Sequence, residues 1–366
     1  MSSYKILLGL LFIFHGFIHC IGFAKAFGYS PITQISKEIT KPIGLMALMA
    51  ALLFISAAIL FFSGKDWEWV SLIAMFVSQI FIMLTWKDAK WGTLANFVIL
   101  IFAILSLASK GFENQYKKSV QTRLEMNFPE KPGIDENNSL LILPTIVQRY
   151  IEKSGTLDQP HIRNFKLIFE GRIRKALSSE WMPFTTEQYN FMKNPTRLFF
   201  MKATMKGFPV SGFHHYRNSH AVMDIRLLSL IPVQYMQGKE MDISELVTWF
   251  NDLCIFAPAA LTDKRIRWAE KDSLTVKAIF THGAHSISAT LVFNENAELI
   301  NFISDDRYAY SGHQLKKTTW STPLKAYKKY GQFLISSGGD ACYHDQDGDL
   351  CYGEFRLQKI EYNVTE

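Results

Sequence analysis

Four stretches of this chain contain no Asp, Glu, Lys or Arg, and they constrain its fold more than any other feature. They cover residues 6–24, 43–64, 69–86 and 91–109. Each has roughly 18–22 residues, which a helix needs to cross a hydrocarbon core of about 30 Å. A soluble helical bundle would carry charged stripes along such helices, and these stretches carry none. The sequence therefore predicts a four-helix transmembrane domain over residues 1–110.

Charge composition changes sharply after residue 110. Charged residues make up about 11% of residues 1–110 and about 23% of the remainder, which is near the norm for a globular protein. Residues 111–139 are polar and contain Pro129, Pro132 and Gly133, which is typical of a juxtamembrane linker. Residues 140–366 are then expected to form a soluble domain.

Overall charge and cysteine content exclude two classes of protein. The net charge of +6 is spread over both parts, so no concentrated basic field for nucleic acid is present in the sequence. Four cysteines in 366 residues exclude a disulfide-dense scaffold.

The soluble part has mainly the period-two pattern of strands. A short amphipathic helix follows Pro144 and ends at Gly155, and a second helix is predicted to begin at Asp242 as N-cap with Glu245 at N3. Most of the other apolar runs alternate with polar residues and are separated by hairpin-length turns. The expected fold is α+β: an antiparallel curved sheet or open barrel with one or two packed helices.

The side of the membrane depends on the basic residues of the loops. Four spans place both termini on one side, and the first helix is long enough to be retained rather than cleaved as a signal peptide. Six Lys or Arg residues lie on the terminal side and five on the other. This count favours a cytoplasmic soluble domain in a bacterial cell membrane.

Polar side chains within the predicted spans are candidates for function, because they are costly in lipid. His15 and His19 are four residues apart and share a helix face, and Gln79 and Asn96 lie in the third and fourth spans. Three interpretations stay open: a hydrogen-bonded network that locks the bundle, a ligand or quinone contact, and a metal site. The nearby Cys20 lies roughly 100° around the helix from His19, which disfavours the metal.

The first helix resembles the DoxX-like four-helix membrane proteins. The resemblance rests on Gly9-Leu10-Leu11-Phe12, His15-Gly16, His19 and Gly22-Phe23. Some members of that group are associated with quinone-linked redox chemistry, so the resemblance implies such chemistry at the two histidines.

The soluble part resembles a family of bacterial proteins of unknown function. The shared landmarks span roughly residues 140–363 and include Leu143-Pro144, Trp181-Met182-Pro183-Phe184, Glu245-Leu246-Val247, Ala257-Pro258-Ala259-Ala260-Leu261 and Asp306-Arg307-Tyr308. The family brings no established activity, and therefore no catalytic residue. The strand pattern is also similar to the open barrels of lipoprotein carriers, which hold acyl chains.

Polar residues of the soluble part could anchor a ligand in an apolar pocket. The candidates are Trp181, Glu187, Gln188, Asp305, Asp306 and Arg307. The alternative is an ion pair at a strand end beside a core aromatic residue. His214, His215, His220, His282, His285, His313 and His344 do not have the spacing of a metal site.

Cys342 and Cys351 flank the run from Asp345 to Asp349. The spacing of its glycine and the Arg at its twelfth position do not fit a calcium-binding EF-hand loop. An Asp347-Gly348 type I′ turn is favoured, which would place the two thiols diagonally. A four-residue loop would oppose them directly and permit a disulfide, which would indicate an extracytoplasmic domain.

These observations predict a membrane-tethered binding module for a hydrophobic ligand such as a lipid or quinone, with the lipid bilayer as its partner. One alternative is a quinone-linked redox enzyme or subunit that uses His15 and His19. Another is a structural or partner-binding membrane protein. The sequence assigns no reaction and no cofactor.

Overall fold

The computed structural model describes residues 3–29, 32–33, 35–126, 140–157, 162–311, 314–346 and 348–365. It divides the chain into two compact units, Met1–Gly111 and Phe112–Glu366. His313, Asp347 and the end of the predicted linker at 127–139 lie outside the described residues.

Unit 1 consists of helices. They are α1 (Ser3–Ala26), α2 (Lys41–Phe62), α3 (Glu68–Leu84), the short α4 (Trp86–Ala89) and the first part of α5 (Gly92–Glu125). Three of them, α1, α2 and α5, are long and apolar enough to cross a membrane, whereas α3 is an apolar helix of 17 residues. The predicted helical N-terminal region is thus confirmed.

Small residues set the packing of α1 against α2. A Cβ added to Gly16 would lie 3.2 Å from the Ala51 carbonyl oxygen and from the Phe54 Cβ. The buried face of α2 is also rich in alanine, and such small residues let helix backbones approach closely. Large apolar side chains point outward instead: Leu7 is 67% exposed and Phe14 is 62% exposed.

Unit 2 is built on one antiparallel sheet of 13 strands in the order β6-β5-β4-β3-β2-β1-β15-β14-β11-β10-β9-β8-β7. Its strands are β1 (Asn164–Ile173), β2 (Met182–Phe191), β3 (Thr196–Met205), β4 (Phe208–Arg217), β5 (His220–Leu227), β6 (Ile231–Gln237), β7 (Ile266–Glu270), β8 (Thr275–His282), β9 (His285–Phe293), β10 (Leu299–Ser311), β11 (Gln314–Pro323), β14 (Gly338–Asp345) and β15 (Gly348–Tyr362). A separate hairpin is formed by β12 (Tyr327–Tyr330) and β13 (Phe333–Ser336). Pairing of β1 with β15 joins the two halves of the sheet.

The sheet curls around one helix. Helix α7 (Lys239–Phe256) contacts β2 to β6 from one half of the sheet and β9 and β10 from the other, so it lies inside a half-barrel. Trp249, Phe250 and Leu253 of α7 are buried in the main core. Helix α6 (Thr145–Ser154) adds its apolar face to this core, and Pro258–Thr262 forms a 3-10 turn. The predicted curved antiparallel sheet with packed helices is confirmed.

The predicted start of the central helix was wrong. Helix α7 begins at Lys239, and the N-cap is Gly238 with φ +112°, a conformation that favours glycine. The Asp242 carboxylate accepts a hydrogen bond from the Ala221 backbone N–H at 2.6 Å instead of capping the helix. Glu245 pairs with a buried arginine, because a buried cation binds a carboxylate more strongly than a backbone N–H does.

The favoured turn between β14 and β15 was also wrong. Cys342 lies directly opposite Cys351, and the two form a disulfide, which is the second of the two predicted registers. Gly348 is therefore the first residue of β15 and pairs with Asp345 across the turn.

Candidate functional site

Unit 1 buries a network of uncharged polar side chains. His15 Nε2 lies 3.0 Å from Asn96 Oδ1 and 3.3 Å from Ser78 Oγ, and His19 Nε2 lies 2.8 Å from the same hydroxyl. Asn96 Nδ2 donates to Gln79 Oε1 at 3.0 Å. The four predicted residues are thus connected, with Ser78 as an additional hub.

This network joins α1, α3 and α5 through hydrogen bonds between their side chains. The two imidazole rings are 5.0 Å apart, and both pack against the Phe54 ring. His19 Nδ1 is buried and has no hydrogen-bond partner within the described ranges. No group of three His, Cys, Asp or Glu side chains that could hold a metal occurs among the residues that the structure describes.

A second polar network lies between α7 and the inner face of β2 and β3. Arg197 Nε donates to Asp252 Oδ2 at 2.9 Å, and its Nη1 donates to Glu245 Oε2 at 3.1 Å. Gln188 accepts from Arg197 Nη2 at 3.0 Å and donates to Asp252 at 2.7 Å, while Asn190 also donates to Asp252. All five side chains are buried, so this is an ionic network shielded from water.

The pKa values of the two carboxylates of this ionic network are shifted in opposite directions. Burial acts to raise the pKa of Glu245, but Arg197, His214 and Arg307 outweigh burial and lower it. For Asp252 burial prevails over Arg197 and raises the pKa. Helix α7 thus carries Glu245, whose charged form is stabilised, and Asp252, whose charged form is less stable than that of an exposed aspartate.

Arg307 projects into the half-barrel from β10. Its Nη1 donates to Thr248 Oγ1 at 2.7 Å, and its guanidinium lies 4.4 Å from the centre of the Trp320 ring. Burial acts to lower the pKa of Arg307, but Tyr343, Tyr352 and Glu245 raise it. The buried Nε has no hydrogen-bond partner in the described part of the chain.

Asp305 and Asp306, predicted to bind a ligand together with Arg307, bond to other residues instead. Asp306 accepts from the Ser288 backbone N–H at 2.7 Å and pairs with Lys317, and its pKa is lowered because this lysine outweighs burial. Asp305 is exposed and accepts from Thr319 Oγ1 at 2.7 Å. An irregularity in the β10 register between Ser304 and Arg307 sends these neighbouring residues to different surroundings.

Trp181, Glu187 and Gln188 also separate. Trp181 precedes β2 and lies between the guanidinium groups of Arg172 and Arg174, 4.6 and 4.3 Å from its ring centre. Glu187 pairs with Lys166 at 2.8 Å, whereas Gln188 belongs to the ionic network. Consecutive residues of a strand point to opposite faces, so Glu187 and Gln188 cannot serve one site.

The sequence reasoning missed Arg197, Glu245 and Asp252 as partners. A signal was present, because Glu245, Thr248 and Asp252 follow the i, i+3, i+7 spacing of one helix stripe. Two acidic residues on one stripe of a helix whose other buried residues are mostly apolar indicate a cation on the facing element.

Two apolar regions lie toward opposite ends of β2 and β3. Phe184, Phe199, Met201 and Ala203 form a buried cluster of their own on β2 and β3. At the other end of these strands a cleft of about 220 Å³ lies beside the C-terminal half of α7. Its lining is Ile162, Met192, Lys193, Leu253, Ala260, Thr262, Asp263, Lys264 and Arg265. This cleft has apolar walls and a charged rim, which suits an amphiphile.

Comparison with known families assigns most of unit 2 to a family. A family of unknown function, DUF6544, matches residues 133–355. The chain belongs to the DUF6544 family. The match leaves residues 1–132 outside it, so the resemblance of the first helix to DoxX-like proteins stays a prediction. No curated protein matches the sequence.

Three solved structures are similar to this DUF6544 member, each over 60% of its chain. A putative outer membrane lipoprotein-sorting protein domain from Vibrio parahaemolyticus has a TM-score of 0.36 and 11% identity over 93% of its own chain. A DUF1329 family protein from Desulfovibrio piger has a TM-score of 0.35 and 8% identity over 93% of its chain. A LolA superfamily protein from Nitrosomonas europaea has a TM-score of 0.32 and 9% identity over 94%. Likeness at these scores is too distant to carry a function.

Proposed function

We propose that this protein is a membrane-tethered binding module for a hydrophobic ligand such as a lipid or quinone. Unit 1 is the tether, and unit 2 binds the ligand beside α7. The tether uses all four apolar helices, because even the 17 residues of α3 extend about 26 Å, close to the thickness of a hydrocarbon core. The exposed Leu7 and Phe14 would then face lipid.

The cleft beside α7 carries this proposal. Met192, Leu253 and Ala260 supply apolar walls, and Arg265 lies on the rim, where it pairs with Asp263 at 2.6 Å. An acyl or isoprenoid segment fits such walls, and a polar headgroup fits the rim. Its volume of about 220 Å³ suits part of such a chain.

Narrowing the cleft tests the proposal. The delipidated full-length protein in mild detergent is titrated with the fluorescent fatty acid dansylundecanoate. We expect saturable binding by the wild type and at least about tenfold weaker binding by Ala260→Phe, a loss of about 1.4 kcal/mol. Ala269→Phe is the matched control, since Ala269 is exposed on β7 and does not line the cleft. Absence of saturable binding by the wild type would refute the proposal.

We further infer that unit 2 lies outside the cytoplasm, in place of the cytoplasmic side that the loop charges favoured. Directly opposed cysteines that form a disulfide persist in oxidising compartments. Cells are lysed in excess maleimide-polyethylene glycol under denaturing conditions, with and without prior reduction. Two additional labelled sites after reduction are expected; labelling of all four cysteines without reduction would place the domain in the cytoplasm.

A quinone-linked redox role at His15 and His19 is the second candidate. The observation that favours it is the buried His19 Nδ1, which lacks a partner among the described residues and could donate a hydrogen bond to a quinone oxygen or accept one from a quinol hydroxyl. Replacing both histidines with leucine should abolish quinone-linked turnover in membranes. Turnover that is unchanged in this variant would exclude the role.

A further inference from the structure

Helix α5 continues from unit 1 into unit 2, and its contacts in unit 2 show which end of the sheet the chain reaches first. From Phe112 onward, α5 lies along the outer face of β3: Glu113 pairs with Lys202 at 2.5 Å, and Arg123 donates to the Asn194 carbonyl at 2.9 Å. Lys202 is close to the end of β3, and Asn194 precedes its start. The segment of α5 from Phe112 onward therefore begins at the end of the sheet where β3 meets β4.

In the half of the sheet formed by β1 to β6, three loops connect strands at this end. They are 174–181 between β1 and β2, 206–207 between β3 and β4, and 228–230 between β5 and β6. Neighbouring loops are separated by two strands, or roughly 10 Å. Each loop carries exposed apolar side chains at or next to it: Leu177 (62%), Phe208 (57%), Leu230 (48%) and Ile231 (51%). We call this row, together with Trp181, the loop-tip surface.

Basic and aromatic residues border the loop-tip surface. Lys175 and Lys206 are exposed, and the Arg174 guanidinium lies 4.3 Å from the centre of the partly exposed Trp181 ring. Glu180 is the acidic residue of the first loop. Large apolar side chains with a tryptophan and a basic fringe are the composition of segments that lie at a membrane interface.

We propose that the loop-tip surface rests in the headgroup region of the bilayer that holds unit 1. This inference depends on the proposed membrane tether and adds a second contact to it. Phe112 follows residues 92–111 directly in α5, and its ring lies 5.7 Å from that of Phe200 of β3, so few residues of chain separate the proposed span from its first contact with the sheet. The basic residues match anionic headgroups, and the apolar tips match the acyl boundary.

Fluorescence quenching in proteoliposomes tests this contact. The full-length chain with Cys20→Ser carries bimane at Phe208→Cys or Leu230→Cys, in vesicles of phosphatidylcholine and phosphatidylglycerol that contain a nitroxide near the headgroup. The control label is at Asn194→Cys, an exposed turn position at the opposite end of β3, about 30 Å away. We expect the nitroxide lipid to quench labels 208 and 230 at least twofold more than label 194.

Two outcomes would overturn the contact. One is equal, weak quenching at all three positions in protein that alkaline carbonate does not extract, which would leave the tether intact. The other is shielding of labels 208 and 230 from both nitroxide lipid and aqueous iodide, which would show that another protein copy covers the surface. Extraction of the protein by carbonate would refute the tether and this inference with it.

Discussion

Unit 1 contains a pair of buried histidines and unit 2 a pair of partly buried ones, and the two pairs differ in their surroundings. His15 and His19 lie on one face of a helix; His15 Nε2 contacts the Ser78 hydroxyl and the Asn96 amide oxygen, and His19 Nε2 contacts the same hydroxyl. His214 and His215 are consecutive on β4, so they point to opposite faces of the sheet. Among the described residues, His214 Nε2 and His215 Nδ1 have no hydrogen-bond partner.

The polar groups around the two pairs differ in the same way. In unit 1 the partners of the histidines are uncharged, which costs least in an apolar bundle. In unit 2 the Arg197 guanidinium and two carboxylates compensate one another, and His214 lies within the field of Glu245. The comparison teaches that the histidines of the helices are accommodated by hydrogen bonds to uncharged groups, whereas the half-barrel places a network of paired opposite charges near His214.

Removal of Arg197 should lower the free energy of unfolding more than any other change proposed here, because it disrupts the ionic network of unit 2. Arg197→Met leaves Glu245 and Asp252 buried without their cation, which should lower the free energy of unfolding by about 3 to 5 kcal/mol. The measurement is urea unfolding of the full chain in detergent micelles, followed by tryptophan fluorescence. Arg172→Met is the control, because the Arg172–Glu354 pair is exposed and its loss should change little. Equal effects in both variants would contradict the assigned role.

Acidification should destabilise unit 2 through its own histidines. Burial lowers the pKa of His214 and of His215 to about 4, below the value of 6.5 in an unfolded chain. The unfolded state therefore binds more protons between pH 6.5 and 4, and stability falls as the pH falls through this window. We expect a loss on the order of 1 to 2 kcal/mol for each histidine between pH 7 and pH 5.

Aromatic replacement separates this effect from general acid unfolding. The His214 ring lies 5.5 Å from Phe199, and the His215 ring lies 5.1 Å from Phe213, so phenylalanine suits both sites. Urea midpoints of His214→Phe/His215→Phe should depend less on pH than those of the wild type. The same pH slope in both proteins would show that other groups carry the titration.

Local patterns of the sequence predicted the larger part of the fold. Charge-free windows marked the apolar helices, and Ile146, Val147, Tyr150 and Ile151 are buried on one face of α6 as the period of 3.6 predicts. The period-two pattern does not identify strands such as β2 and β4, because both of their faces are covered: the outer face by α5 and the inner face by the core. Such strands lose the alternation that identifies a strand.

The candidate site was less accessible to sequence reasoning. The network of unit 1 could be anticipated, because polar side chains in an apolar bundle have few partners other than one another. Ser78 was overlooked because serine is common and inexpensive in helices of this kind. Arg197 and Asp252 are 55 positions apart, and only the curl of the sheet around α7 brings them together.

Loss of the Ser78 hydroxyl should have a smaller effect on the free energy of unfolding than loss of Arg197. Its hydroxyl joins His15, His19 and Asn96, so Ser78→Ala removes one hub but leaves no charge unpaired. We expect a decrease in the free energy of unfolding of about 1 to 2 kcal/mol, since buried polar contacts between apolar helices are weaker than ion pairs. Thermal unfolding in detergent micelles gives the measurement, and Ser71→Ala is its control, because the Ser71 hydroxyl bonds only within its own helix, to the Glu68 carbonyl. A decrease as large as that of Arg197→Met would mean that the uncharged network of unit 1 contributes as much stability as the ion pairs of unit 2, and the contrast between the two networks would fail.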